Sequence, residues 1–424
     1  MSECLNDVGV DLHQVLIGIA KALDSVGLDE IHHGHRVGYM AYCCAKRMGW
    51  PEEISQVALA VGLIHDCGVS QQSERSELLT HLISSDSHLH CLRGYERLIE
   101  CKPLQSLALP VFHHHTWWQE LREMSAVSEQ NKQLAALVFV ADRVDYLYAR
   151  MEPDNYGNIT PTAKQAIIQE LTQNTHTLFE PNTVQHMCEL VDNDEFWFAM
   201  KREYIEVMIS QLAPFPFFDA HLTLEDTIQL AELSAKIIDA KSSFTFDHSF
   251  HVARLSEYLG YKMGYSETMQ RMLYLAGLVH DIGKLDTPVS ILHKSSELTD
   301  AEYACIKRHS TDTRYALQAM LKSEQIIEWA SNHHERLDGS GYPAGKHASQ
   351  LDKPSRIIAV ADVFQALTQS RPYRHGLDLN EVLNLVYELV EDNKLDREVY
   401  ECIASNAAAC YRISTGEEPI QQSA

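Results

Sequence analysis

Two stretches of this chain carry the same landmarks in the same order. IHHGHRVGYMAYCCAKRMG, starting at Ile31, and FDHSFHVARLSEYLGYKMG, starting at Phe246, align His33 with His248. The same offset of 215 positions brings His65-Asp66 onto His280-Asp281. With small gaps, His90 falls near the place of His309, His114-His115 near His333-His334, and Asp142 near Asp362. Two landmarks at one offset signal a duplicated unit. The expected organisation is two tandem domains, 1–213 and 214–424, joined at PFPFFDAHL, where two prolines mark the joint.

The spacing of apolar residues is helical along most of the chain, with few β-branched alternations, so the fold class expected is all-α. A helix is predicted from Asp11 to Leu28 and another from about Thr223 to Ala240. Thr299-Asp300-Ala301-Glu302 has the spacing of a capping box and opens a helix running to His309. Residues 151–213 read as helical after Pro153, and two or three amphipathic helices follow Asp362 as far as Gly416.

Length and composition describe an ordinary globular protein of 424 residues. The formal charge of −24 excludes a long nucleic acid as partner, because such interfaces gain affinity by neutralising many phosphates with clustered cations. A small anionic substrate stays admissible if metals, a lysine and a few arginines gather positive charge locally. The start MSECLNDVGVDLHQ has no cationic apolar leader, and runs such as VALAVGLI are too short to span a bilayer. A cytoplasmic protein without a membrane partner is expected. The cysteines show no repeated spacing, which favours reduced thiols.

In the second half an apolar run, LAGLVHDIGKLDTP, ends in His280-Asp281 and breaks at Gly283 before Lys284. Some fifty residues on, HHERLDGSGYP spans His333 to Pro343, placing adjacent imidazoles where a helix gives way to a loop shaped by Gly and Pro. Together these motifs resemble the HD-GYP family, the branch of the HD phosphohydrolases associated with cyclic dinucleotide hydrolysis. The resemblance implies a metal-dependent phosphodiesterase that opens a cyclic dinucleotide to a linear, 5′-phosphorylated one.

Hydrolysing a phosphodiester near neutral pH calls for a nucleophilic hydroxide and neutralised charge at phosphorus, which two adjacent metal ions supply. Imidazoles mixed with carboxylates suit Fe, Mn or Zn, whereas a purely carboxylate set suits Mg. The candidate ligands are His248, His280, Asp281, His309, His333, His334 and Asp362. By the resemblance, Asp281 bridges both ions, with His248, His280 and Asp362 on one and His309, His333 and His334 on the other; iron is favoured and manganese is the alternative. Asp362 adds an independent argument, since it stands in the apolar helix RIIAVADVFQAL, where a buried carboxylate is costly without a cation. Some family members carry a Glu four residues before the first histidine for a third ion. Here that position is Phe244, which implies two.

For substrate, the resemblance assigns Asp281 and Lys284 to catalysis, Lys284 gripping a non-bridging phosphate oxygen. Arg371 and Arg374 in RPYR grip the second phosphate, with guanidinium geometry suited to the task. Gly341, Tyr342 and Pro343 form a pocket wall and turn, supported by Glu335 and Asp338. Three residues after Asp362 the family commonly has an Asp that reads guanine; here it is Gln365. An amide offers one donor and one acceptor, which matches adenine. The expectation is therefore 3′3′-cGAMP in preference to cyclic di-GMP, the alternative being that Gln365 faces solvent.

The first half keeps the ligand types as His33, His65, Asp66, His90, His114, His115 and Asp142, a candidate second metal site. It loses the substrate parts: Val69 stands where Lys284 does, TWWQELREM replaces the GYP loop, and RVDYLYARMEP replaces RPYR. A degenerate, non-hydrolytic domain is expected, with stabilisation of the other half, homodimerisation or ligand sensing as its open roles. Trp117 and Trp118 are read as core packing rather than pocket lining. The rivals for the whole chain are a general nucleotide phosphohydrolase and a receptor that binds cyclic dinucleotides without cutting them.

Overall fold

A computed structural model describes residues 8–24, 32–69, 87–212, 222–240, 248–292, 294, 296–369 and 376–417. Among these there is no strand, only isolated bridges, and the fold is all-α as the periodicity predicts. No described helix is long and apolar enough to cross a membrane.

Packing divides the chain into Leu12–Ala220 and a second unit of His221–Ala424 with Met1–Asp11. The expected division at 213/214 differs from this at both ends. The joint, with Phe215, Phe217 and Phe218, lies outside the described residues. Residues 8–11 go with the second unit because their backbone pairs there: Asp11 N–H donates to Met320 O at 2.9 Å and Lys322 N–H to Gly9 O at 2.9 Å.

In the first unit the helices that matter for the site are α1 (Leu12–Asp24), α2 (His33–Arg47), α3 (Glu52–Ile64), α4 (Ser87–Glu100), α5 (Ala108–His113), α6 (Glu129–Ala149) and α7 (Arg202–Ser210). In the second they are α8 (Leu224–Ala240), α9 (His248–Lys262), α10 (Glu267–Val279), α11 (Asp300–Lys307), α12 (His309–Met320), α13 (Glu324–Ser331), α14 (Lys353–Thr368), α15 (Leu379–Glu391), α16 (Arg397–Ser405) and α17 (Ala407–Thr415).

Burial explains the arrangement. Helix α10 is buried without interruption from Met272 to Val279, and α14 from Ile357 to Asp362, so neither has a polar face and both run through the interior. Helix α15 buries only Val382, Val386 and Val390, one stripe at helical spacing, and lies at the surface. Each fully buried aliphatic chain of this kind contributes about 1.5–3 kcal/mol. Local signals set the ends: Ser266 caps α10 through Met269 N–H, and Thr299 and Glu302 form the reciprocal capping box of α11. The helix predicted to run on to His309 is two: α11 stops at Lys307, and α12 opens at His309.

Candidate metal centre

The ends of four helices and the buried interior of a fifth supply the histidines and carboxylates of the second unit. His248 opens α9, His280 and Asp281 follow α10, His309 opens α12, His333 and His334 follow α13, and Asp362 sits within α14. The turn after Asp281 is clamped onto α12. Thr313 Oγ1 donates to His280 O at 2.9 Å and accepts from Gly283 N–H at 3.0 Å. A Cβ on Gly283 would collide with the His309 carbonyl oxygen, as one on Gly68 would with that of His90. The close approach requires glycine and brings His280 and His309 to one place. Thr313 was not singled out from the sequence, where a threonine in mid-helix carries no signal of its own.

All the candidate ligands of this half converge. Asp281 Oδ2 lies 3.5 Å from His248 Nε2 and 3.3 Å from His280 Nε2, while Oδ1 lies 3.4 Å from His309 Nε2 and 3.8 Å from His333 Nε2. One carboxylate thus faces two histidine groups, one with each oxygen. Asp362 Oδ1 is 3.3 Å from His248 Nε2 and 3.8 Å from His280 Nε2; its Oδ2 is 3.7 Å from His334 Nδ1.

The donors fit cations and fit each other poorly without them. His280 Nδ1 donates to Gly277 O at 2.7 Å, His309 Nδ1 to Ile306 O at 2.6 Å, and His333 Nδ1 to Ala330 O at 2.6 Å. His248 Nδ1 donates to Gln365 Oε1. With each Nδ1 carrying a hydrogen, the neutral tautomers present Nε2 lone pairs inward. These lone pairs confront one another at 3.2 Å between His248 and His280 and at 3.1 Å between His309 and His333. Asp281 Oδ1 is buried without a hydrogen-bond partner. Lone pairs aimed together around an orphaned carboxylate oxygen call for positive charge between them.

The electrostatics agree. Burial opposes ionisation of Asp281, yet Lys284, His280 and His248 outweigh it and hold the carboxyl well below the usual range. Burial likewise opposes Asp362, which His248, His334 and His280 keep ionised. Burial holds His309 and His333 below the ordinary imidazole range and His334 down to about 3. His248, although buried, is drawn up to about 9 by Asp281 and Asp362. Ionised carboxylates beside the neutral imidazoles of His309, His333 and His334 are protonation states that ligate divalent transition metals, and His248, held protonated by the two carboxylates, gives up its Nε2 proton to a cation that takes its place.

Around this cluster stand the parts expected to meet substrate. Lys284 Nζ is 2.5 Å from Asp281 Oδ2, its side chain 27% exposed at the cluster's rim. The Tyr342 ring lies 4.7 Å from that of His334, a wall, while Pro343 is exposed. Glu335 braces the loop, its two oxygens accepting from Ala344 N–H and Lys346 N–H, both at 2.8 Å. Asp338 Oδ1 accepts from Ser340 N–H at 2.9 Å. A Cβ on Gly341 would meet Glu335 Cα and Arg336 N, so the loop folds back on itself only with glycine there. Arg371, Arg374 and Phe244 lie outside the described residues.

Gln365 requires a correction. It neither reads a base nor faces solvent: it is 1% exposed, its Oε1 holds His248 Nδ1, and its Nε2 donates to Ser414 O at 3.4 Å. Both ends of the amide are committed inside the protein, so it orients a histidine and offers nothing to adenine. Sequence offered a signal, since its counterpart in the first half is Asp145.

The first unit repeats the geometry. His33 Nε2 lies 3.2 Å from His65 Nε2, 3.8 Å from Asp66 Oδ2 and 3.5 Å from Asp142 Oδ1. His90 Nε2 lies 3.6 Å from Asp66 Oδ1 and 3.4 Å from His114 Nε2, and His115 Nε2 is 3.9 Å from Asp142 Oδ2. Asp145 Oδ2 takes His33 Nδ1 at 2.7 Å and is itself gripped by Arg36. Two differences stand out. Val69, buried, replaces the rim lysine, and Arg143 donates to Asp142 Oδ2 at 2.7 Å. Trp117 and Trp118 are both partly buried.

A helical fold that gathers histidines and aspartates from successive helix ends into one buried cluster defines the class of HD metal-dependent phosphohydrolases. Comparison with known proteins agrees. The HD domain family model matches residues 232–399. A 3′3′-cGAMP-specific phosphodiesterase of Vibrio cholerae is 48% identical over 97% of this chain and 95% of its own length. A second 3′3′-cGAMP-specific phosphodiesterase of that organism is 33% identical over 52% of this chain and 48% of its own. A cyclic di-GMP phosphodiesterase of Pseudomonas aeruginosa is 35% identical over 37% of this chain and 38% of its own. The crystal structure of a cyclic GMP-AMP specific phosphodiesterase of V. cholerae shares the fold, with a TM-score of 0.60 at 21% identity over 96% of this chain and 98% of that one. The chain belongs to the HD-GYP family of cyclic dinucleotide phosphodiesterases, which are metal-dependent enzymes.

Proposed function

We propose that the second unit hydrolyses 3′3′-cGAMP in preference to cyclic di-GMP, giving a linear dinucleotide with a 5′-phosphate. The base preference rests on the relative that matches almost the whole chain, since Gln365 no longer supports it. For the chemistry, the observation that carries the reading is Asp281, one oxygen toward each histidine group and one of them without a hydrogen bond.

His248, His280 and Asp362 would hold one ion and His309, His333 and His334 the other, with Asp281 shared; iron suits these donors best, with manganese next. Such ions supply a nucleophile at neutral pH and neutralise charge on the phosphoryl oxygens. The chain's own share is positioning. The i−3 carbonyls fix the tautomers of His280, His309 and His333, and Gln365 fixes that of His248. Lys284, at the rim, turns its ammonium from Asp281 to a non-bridging phosphate oxygen and stabilises the charge that grows there. Tyr342 and the braced loop bound the space beside His334 in which a base stacks.

The first unit has the ligand set without the substrate parts, and it binds metal without hydrolysis in this reading. Val69 cannot bind a phosphate oxygen, and Arg143 already spends its charge on Asp142.

The test is to incubate iron-loaded and manganese-loaded protein with 3′3′-cGAMP, cyclic di-GMP and cyclic di-AMP, and to identify products by mass. The expected result is a linear dinucleotide, formed fastest from 3′3′-cGAMP. Binding without cleavage would make the protein a receptor; turnover of mononucleotides alone would make it a general phosphohydrolase.

A further inference from the structure

Three histidines crowd the start of α2, and only His33 is shared with the carboxylates of the first-unit cluster. His32 and His35 meet each other, ring centroids 5.2 Å apart, beside a different pair of acids. Asp24, the last residue of α1, places Oδ2 3.3 Å from His35 Nδ1. Glu206, from α7, places Oε1 3.5 Å from His32 Nδ1. Asp24, His32 and His35 are all buried, with potential ligand atoms within 4.8 Å of one another.

Asp24 Oδ1 accepts from Gly34 N–H at 3.2 Å, and the contact of Oδ2 with His35 Nδ1, a hydrogen bond at 3.3 Å, is long for a charged pair. His33, between the two, shows what an imidazole bonded to a carboxylate looks like here: 2.7 Å to Asp145. Charge-assisted N–H···O bonds run at about 2.7–2.9 Å, and the contacts at 3.3 and 3.5 Å exceed that. They match another distance. Ligands at about 2.0–2.1 Å from a tetrahedral ion stand about 3.3 Å apart. Moreover, His32 Nδ1, the atom that faces Glu206, is buried without a hydrogen-bond partner, so that ring is not a satisfied polar core residue.

We propose that Asp24, His32, His35 and Glu206 form a separate mononuclear site for a zinc ion. Two imidazoles with two carboxylates and no thiolate suit a borderline cation; calcium and magnesium take oxygen sets. Four protein ligands leave no open position, which makes the site structural. Glu206, its side chain 47% exposed, gives the ion its way in. The ion ties the end of α1 and the start of α2 to α7, and so steadies the turn that carries His33.

To test this, the full chain is stripped with chelator, reloaded with Zn²⁺ alone, desalted, and its zinc counted by mass spectrometry. The double variant His32→Asn/His35→Gln is expected to hold one zinc fewer per chain than the parent. An equal count overturns the site. Should the double variant also lose helical circular dichroism, Glu206→Gln decides, because its substitution lies at the surface. Loss of one zinc at a chelator concentration about tenfold lower than for the parent supports the site; identical retention overturns it.

Discussion

At Asp281 a single side chain serves both histidine groups, so its loss cannot be made good by a neighbour. Removing partners that merely orient metal ligands costs about 10–100-fold in affinity or activity. Asp281→Ala, which removes a shared ligand, is expected to cost more than about 100-fold in turnover and to lower the metal content measured on the purified protein. Gln365 is the subtler case. Gln365→Leu leaves His248 Nδ1 without an acceptor and should weaken metal retention by about 10–100-fold, whereas Gln365→Asp, which restores what Asp145 does for His33, should retain the ions. The ratio of kcat/KM for 3′3′-cGAMP to that for cyclic di-GMP should be the same in Gln365→Asp as in the parent; a shift toward guanine would return the residue to the substrate pocket. The histidines and aspartates were legible in the sequence because their spacing repeats at one offset and because buried carboxylates on apolar helices need a cation. The direction in which Gln365 points was legible only through its counterpart Asp145, since an amide by itself carries the same donor and acceptor whether it faces a base or a neighbouring ring.

Among the elements, the loop of Gly341, Tyr342 and Pro343 depends on Glu335, which is 2% exposed and holds two of its N–H groups. Glu335→Ala would orphan both donors, each costing about 1–3 kcal/mol if still buried. The expected outcome is a raised KM for the dinucleotide and faster hydrogen exchange at Ala344 and Lys346; unchanged exchange would remove Glu335 from this role. Glu328 ties α13 to Arg314 of α12 and to Lys346 of the same loop, at 2.8 and 2.9 Å. Burial pushes its carboxyl up, but Lys346, Arg314 and Asn332 pull it down from 4.5 to about 2. A carboxyl whose folded value is depressed adds stability above its unfolded value and loses it as pH falls through the folded one. Unfolding by urea should therefore become easier between pH 4.5 and about 2, and Glu328→Gln should flatten that part of the profile. Helix existence was readable from periodicity and caps. The break between α11 and α12 was not, because Arg308 keeps helical backbone and nothing in its chemistry announces an end.

For the whole molecule, duplication means that two buried clusters of like geometry occur in units that pack separately, only one of which has Lys284 and the braced loop. The repeat was visible as an offset, yet the assignment of residues 8–11 to the second unit was not, because it rests on a few backbone hydrogen bonds that no side chain encodes. Ions bound by the folded state alone stabilise it by about 2.7 kcal/mol at a hundred times their dissociation constant. Calorimetry with added Mn²⁺ should therefore raise the melting of each unit whose cluster is filled. Asp281→Ala should abolish the shift that belongs to the second unit and abolish hydrolysis with it. Asp66→Ala should abolish only the shift of the first unit and leave 3′3′-cGAMP hydrolysis in place. If Asp66→Ala changes no transition, the histidines and aspartates of the first unit are a packed remnant in which Arg143, with His65 and His33, balances Asp142. If instead it stops hydrolysis while the second unit still gains stability from Mn²⁺, the first unit takes part in the chemistry, and the loss of its lysine and loop has been misread.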